Sequence, residues 1–225
     1  MSSVDKSTLI NELVTNKAYL WTTKSDYFPK ITDSVVLGEK NNQIVLDPEK
    51  IANLLEKSKK VIDEAKNNWK NIVVILDKEA FRKEVEDICS FVGVSFLNNK
   101  VPSGIFTNFD TFSKRIQSMN TLRKFIKSSD FSKLTKKEQL MKKRELAKLE
   151  QVYHGVTNLT KLPDLVVVVD AEYNIWVIKE LEKISIPYIA IANTNLSKWL
   201  KTDNIVVMNT NSYESVIYAL NYLLK

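Results

Sequence analysis

The chain is poor in the residues that most enzymes and metalloproteins depend on. It has one cysteine, Cys89, and one histidine, His154, in 225 residues. An internal disulfide, a multi-cysteine zinc site and any mechanism needing two imidazoles are therefore excluded. Four glycines (Gly38, Gly93, Gly104, Gly155) leave no glycine-rich phosphate loop, and neither G-x-G-x-x-G nor G-x-x-x-x-G-K-[ST] occurs. No cofactor is expected. No run of 18 apolar residues exists, so no membrane span is expected. The opening residues lack a basic n-region and an apolar h-region, and no Arg precedes Arg82, so neither a secretory signal nor a transit peptide is expected.

The balance is that of a soluble globular protein with a core: 44% apolar, 27% charged, net charge +6. The 33 basic residues comprise 29 Lys and 4 Arg, and Asn occurs 20 times. Lys, Asn and Ile have AT-rich codons. Coding bias in an AT-rich genome is the preferred explanation, with selection of Lys for function as the alternative.

Residues 1–47 read as irregular chain carrying one hairpin, with β-branched runs at 35–37 and 44–46 on either side of a turn. Asp47 and Pro48 then open a helix, in which Ile51, Leu54, Leu55, Ser58, Val61, Ile62 and Ala65 recur at helical spacing. The continuous apolar run at 71–76 suits a strand covered on both faces. Asp77 is expected to cap a helix over 78–91 with Phe81, Val85 and Ile88 inward, ended by Gly93. A short strand at 94–97 and a loop at 98–104 follow.

From Asn108 the pattern becomes helical for two long stretches. Phe109, Phe112, Ile116, Met119 and Ile126 mark the first. Leu140, Met141, Leu146, Leu149 and Val152 mark the second, over about 136–152. Ser128, Ser129 and Asp130 separate them, and Thr135 with Glu138 forms a capping-box pattern. Two antiparallel helices projecting as a hairpin are expected. Residues 108–150 hold 12 Lys+Arg against 5 Asp+Glu, net +7; the rest holds 21 against 22, net −1. The whole basic excess thus sits in this one element.

Alternation then resumes: strands at 165–169, 188–192 and 205–208, with helices at 174–184, 195–200 and 212–224. The order argues an α/β domain around a parallel sheet with the hairpin inserted before the strand at 165. The expected division is 1–106 as the first part of the α/β domain, 107–153 as the inserted basic hairpin, and 154–225 as the second part.

Several segments in series resemble one family. Thr107-Asn108-Phe109, Lys114-Arg115-Ile116 and Leu134-Thr135-Lys136-Lys137-Glu138 are similar to the T-N-F … L-T-K-K-E signature of the S-two family of small-subunit ribosomal proteins, bacterial and organellar type. Leu162-Pro163-Asp164 precedes a Val-rich strand as in that family. Ile186-Pro187-Tyr188-Ile189-Ala190-Ile191 with Asn193-Thr194-Asn195 resembles its I-P-V-I-A-I-x-D-T-N. Upstream, Pro29-Lys30 resembles W-N-P-K-M, and the segment 43–47 resembles H-I-I-D. The order holds from about Val14 to Leu224. Departures are plain as well: the family's G-V-H-F-G-H gives way to residues 17–22, its W-L-G-G to 101–104, its G-T-K-K to 76–79, the Asp of D-T-N to Asn193, and its P-G-N loop to 208–210. Such losses suit a fast-evolving lineage, an AT-rich organelle or a reduced bacterium, with the mitochondrial (organellar) matrix favoured.

The resemblance implies a flavodoxin-like sheet with helices on both faces plus a helical hairpin. It also implies a non-enzymatic role: binding small-subunit (16S-type) rRNA and neighbouring ribosomal proteins at the head–body junction, with no small-molecule substrate. The RNA-binding candidates are Lys24, Lys30, Asn108, Lys114, Arg115, Arg123, Lys124, Lys136, Lys137, Lys142, Lys143 and Arg144. Lysines act on phosphates as point charges, whereas the planar forks of Arg115, Arg123 and Arg144 suit bidentate contacts. Each candidate also has a plainer reading: solvated charge for the cluster, N-cap for Asn108. Phe109, Phe112, Phe125 and the four tryptophans are expected to pack rather than stack on bases, and Cys89 to be buried and inert.

A rival reading is an enzyme or ligand-binding protein. Polar residues at the carboxyl ends of the strands (Asp77, Asp170, Asn193) could line a pocket. Helix capping is the preferred account of them, because no nucleophile–base pair or metal-ligand spacing completes a site. A third reading is a protein-binding adaptor.

Overall fold

The computed structural model describes residues 6–23, 33–40, 42–196, 200 and 202–225. Two sheets organise it. The smaller is antiparallel, with strands β1 (Leu20–Thr23), β2 (Val36–Lys40) and β3 (Gln43–Leu46) in the order β1-β3-β2. The larger is parallel: β4 (Ile72–Ile75), β5 (Ser95–Leu97), β6 (Leu165–Val169), β7 (Tyr188–Ala192) and β8 (Ile205–Val207), ordered β5-β4-β6-β7-β8. Counted from the first strand of that sheet this is 2-1-3-4-5, the flavodoxin-like order, which reverses between β4 and β6.

Helices cover both faces of the parallel sheet, and the strand residues alternate between two cores. Ile72, Val74, Leu165, Val167, Val169, Ile189 and Ile191 face one core with α1 (Lys6–Thr15), α2 (Pro48–Asn67), α3 (Arg82–Val92) and α8 (Tyr213–Leu224). Val73, Ile75, Val166, Val168, Ala190 and Ala192 face the other with α7 (Ile175–Lys183) and the chain after β5. The strands read as unbroken Val/Ile runs because water reaches neither face. Each such side chain contributes roughly 1.5–3 kcal/mol by leaving water.

Between β5 and β6 run α4 (Phe109–Ile126), the one-turn α5 (Ser129–Ser132) and α6 (Lys136–Tyr153). The start of α4 meets the end of α6, where the Phe112 and Tyr153 rings lie 5.3 Å apart. Further out, Phe125 packs edge-on against Phe131 of α5 at 6.1 Å. Thr135 and Glu138 close the capping box at the start of α6.

Several expectations need correction. Among the described residues before 48 there is regular structure besides the hairpin: Leu9 and Leu13 bury one face of α1, and β1 pairs with β3. The turn between the runs at 35–37 and 44–46 is tighter than their separation implies, since Lys40 already pairs with Gln43 and Asn42 takes φ 61°. Asp77 does not cap a helix. A 3₁₀ turn over Glu79–Phe81 intervenes before α3, and the Asp77 carboxylate instead accepts the Val101 N–H at 3.4 Å. That turn seats Phe81 in the core, stacked on Tyr213 at 5.6 Å. The expected helix at 195–200 falls partly outside the described residues.

Candidate nucleic-acid interface

Among the described residues, the candidate cations stand on α4 and α6. On α4, Phe112, Ile116, Met119 and Leu122 are buried at steps of 4, 3 and 3, which turns the residues between them outward. On α6 no side chain is fully buried. Gln139, Lys142, Leu146, Leu149 and Tyr153 are half-buried on the side toward α4, and Lys137, Met141, Arg144 and Lys148 are exposed on the other. The capping box ties down the start of α6: Glu138 Oε2 accepts from the Thr135 N–H at 2.9 Å and from its hydroxyl at 2.7 Å. These bonds hold the Glu138 carboxyl below the usual carboxylate range.

Among the sequence candidates, Lys114, Arg115, Lys124, Lys136, Lys137 and Arg144 are exposed and make no ion pair among the described residues. Lys143 is exposed too, with its ammonium 5.8 Å from the centre of the Phe131 ring. Two candidates are engaged within the protein. Arg123 reaches across from α4 to Glu150 of α6 at 2.7 Å, and Lys142 pairs with Glu145 at 2.9 Å. Arg123 thus spends its Nε and Nη2 donors on a carboxylate of the neighbouring helix while a third of its side chain stays exposed. Lys24 and Lys30 lie outside the described residues.

Asn108 is exposed and holds the N-cap position of α4. Its side-chain oxygen accepts the Thr111 hydroxyl at 2.9 Å but no helix N–H. The phenylalanine candidates pack, whereas the Trp21 side chain and Trp199 lie outside the described residues. Phe112 is buried, Phe109 tilts against it at 5.9 Å, and Phe125 meets Phe131. Trp69 departs from its expected packing role: it ends α2 at φ 54° and is 93% exposed. Leu140 and Met141 also break the apolar pattern read from the sequence, since both are exposed. Lys148 belongs with the outer cations and was not singled out beforehand. Its spacing of four from Arg144 is the signal that finds it.

A groove of about 760 Å³ runs along the hairpin, lined on α4 by Lys114, Ser118, Thr121 and Phe125 and on α6 by Lys142 and Glu145. Its lining is mixed: Leu122 and Phe125 are apolar, and Lys114, Lys142 and Glu145 are charged.

The strand-end residues of the rival reading are tied up internally. Asp170 takes φ 57° and pairs with Lys78, while Asn193 donates to Thr210 at 3.1 Å and accepts the Thr194 N–H at 2.9 Å. With Asp77 on the Val101 N–H, these three side chains serve the loops that carry them. Cys89 is buried on α3, and burial pushes its thiol up to about 12.

The family model described as Ribosomal protein S2 matches residues 13–225. Bacterial proteins are among those this chain is similar to. The small ribosomal subunit protein uS2 of Ureaplasma parvum serovar 3 is 29% identical over 219 residues, covering 95% of this chain and 61% of that protein. The uS2 of Petrotoga mobilis is 35% identical over 174 residues, covering 74% and 60%. That of Dictyoglomus thermophilum is 30% identical over 174 residues, covering 77% and 70%. The chain thus spans about three fifths of the length of the first two. With nearly its whole length matched, and with the parallel sheet in flavodoxin-like order, the chain belongs to the ribosomal protein S2 family.

Proposed function

We propose that this protein is a structural constituent of the small ribosomal subunit. It would bind small-subunit rRNA through the cations of α4 and α6 and contact neighbouring ribosomal proteins through its α/β body. The observation that carries this reading is the set of outward cations on α4 and α6: Lys114, Arg115, Lys124, Lys136, Lys137 and Arg144. They stand on a segment of net +7 beside a remainder of net −1. A cation with no carboxylate partner costs little to bring against a phosphate and releases a counterion when it arrives, so affinity should fall steeply with salt. Folded RNA is read largely through its shape and backbone, which suits a row of lysines better than a base-reading pocket.

The hairpin is proposed to act as an inserted unit, residues 107–153, extending from a body formed by 1–106 and 154–225. No catalytic step is assigned to it. The position at the head–body junction is carried over from the family resemblance. For the compartment, the organellar reading rests on the Lys/Asn/Ile bias and the lost glycine turns. The cytoplasm of an AT-rich bacterium explains the same bias, and the relatives named above are bacterial.

Sedimentation of a cell extract tests the proposal. The chain should co-migrate with small subunits and leave them at high salt. Persistence in light fractions at physiological salt would sink it, and capture of a nuclease-resistant protein partner alone would favour the adaptor instead. Comparing organelle-derived and cytosolic ribosomes separates the two compartments.

A further inference from the structure

The hairpin's entry is held by one carboxylate from a distant part of the chain. Glu180 lies on α7, more than 70 residues after the loop it touches. Its Oε1 accepts the Gly104 N–H at 2.5 Å and its Oε2 accepts the Phe106 N–H at 3.2 Å. The Gly104 carbonyl in turn accepts the N–H of Asn108, the N-cap of α4, at 2.9 Å. Gly104 takes φ +77°, so the loop turns sharply where the carboxylate grips it. Ile105, between the two donors, and Phe106 itself are buried in the core that Val177, Ile178 and Leu181 of α7 also enter. The grip is therefore continuous: carboxylate, loop, first turn of α4.

Resting on the proposed rRNA-binding role, we infer that Glu180 is a positioning residue. It fixes the angle at which α4 and α6 leave the body, so that hairpin and body meet one folded RNA together. The chemistry favours a carboxylate over any isostere. Two backbone donors converge on its two oxygens, and charge-assisted bonds of this kind are the stronger sort. A glutamine would satisfy one donor and turn its own NH₂ toward the other. Glu180 itself touches no RNA in this scheme and supplies no positive charge.

This separates positioning from simple cation binding. An unstructured polyanion follows the lysines wherever the hairpin points, whereas a folded RNA of fixed shape does not. The test measures binding of the full chain, as wild type, E180Q and E180D, to two probes: a folded bacterial 16S-type rRNA transcript and polyuridine. Amide hydrogen exchange is followed at Gly104 and Phe106.

E180Q should weaken binding to the folded transcript roughly tenfold, the scale of one charge-assisted hydrogen bond lost from the grip. Polyuridine binding should stay unchanged, both amides should exchange faster, and E180D should recover part of the loss. Unchanged affinity for the transcript, or an equal loss on both probes, overturns the inference; so does unaltered exchange. If the wild-type chain itself shows no preference for the folded transcript, the rRNA-binding reading fails first and the role of Glu180 falls with it. In that case the exchange result still reports whether the grip exists.

Discussion

Arg123 and Glu150 hold α4 and α6 together. The guanidinium Nη2 and Nε of Arg123 lie 2.7 Å and 2.9 Å from the same Glu150 oxygen. Both side chains are about one-third exposed, so screening keeps the pair near the surface range of about 0.2–1 kcal/mol. Arg123→Ala should therefore cost about that much in hairpin stability, and Glu150→Ala should free a guanidinium for phosphate. The expected signature is opposite effects on rRNA binding: weaker or unchanged for Arg123→Ala, tighter for Glu150→Ala. A double-mutant cycle on thermal melting and on filter binding checks both halves. A loss of binding for Glu150→Ala would mean that the pair serves alignment rather than withholding a charge.

Replacing Lys136, Lys137, Lys142 and Lys143 with Glu reverses the charge of the hairpin without entering either core. Subunit association should drop while the circular-dichroism melting curve of the α/β body stays in place. If each of these cations meets one phosphate, the slope of log K against log salt should flatten by about 1 for each cation removed singly. Lys142 should give the smallest change, because Glu145 already holds it at 2.9 Å. Lys148→Glu should behave like Lys137→Glu. Retained association of the fourfold variant at physiological salt would contradict the hairpin's proposed role.

The parallel sheet was legible in the sequence because its two-sided burial writes itself as unbroken runs such as Val166–Val169, and the flanking helices show their own 3.6-residue period. The capping box at Thr135 was legible for the same local reason. What escaped is what depends on distant partners. Nothing near Arg123 announces that Glu150 will take up its fork, and nothing near Gly104 announces Glu180. Asp77 has the right chemistry for an N-cap, yet Phe81 must reach the core and stack on Tyr213, so a 3₁₀ turn displaces the helix start. The residue type of Trp69 suggests packing, yet the chain just past α2 holds it at a left-handed backbone position, where it is exposed.

Asp164 predicts a response to acid. Its carboxylate accepts the Asn71 N–H at 2.8 Å, fastening the start of β6 beside that of β4, and Lys161 stands 3.3 Å away. The Asn71 N–H first, and Lys161 second, hold the carboxyl below the usual carboxylate range. A depressed folded value means that stability is present above the unfolded value of about 4 and is lost as pH falls through the folded value. Asp164→Asn should remove that part of the acid dependence and cost about 1 kcal/mol at neutral pH. Urea titrations of both proteins at pH 7 and pH 3 check this; the gap between them should narrow at the lower pH.

Cys89 predicts a slow reaction. With its thiol pushed up to about 12 by burial, the reactive thiolate is scarce at neutral pH, roughly a thousandfold below that of a free cysteine. Alkylation by iodoacetamide should proceed only through unfolding, and its rate should rise with denaturant in step with the loss of structure. Rapid labelling of the native chain would show that α3 opens locally.

Gly155 makes the sharpest structural prediction, because space rather than backbone angle demands it. It follows α6 in the 3₁₀ turn His154–Val156, which lies on the edge strand β5. A β-carbon at position 155 would stand 2.3 Å from the Phe96 carbonyl oxygen and 2.6 Å from the Phe96 ring. Neither can retreat cheaply: the carbonyl belongs to a paired strand, and the ring is buried against His154 at 5.2 Å. Gly155→Ala should therefore cost about 2–3 kcal/mol, the upper part of the range for core overpacking. For a chain of this size that lowers Tm by about 4–12 °C. Gly38→Ala is the control, since a β-carbon there meets nothing within 4 Å. The hairpin's exit is seated through the same contact, so Gly155→Ala should also speed amide exchange at the end of α6 while leaving the capping-box end unchanged. A variant with wild-type Tm would show that β5 and the hairpin's exit are not packed together as described.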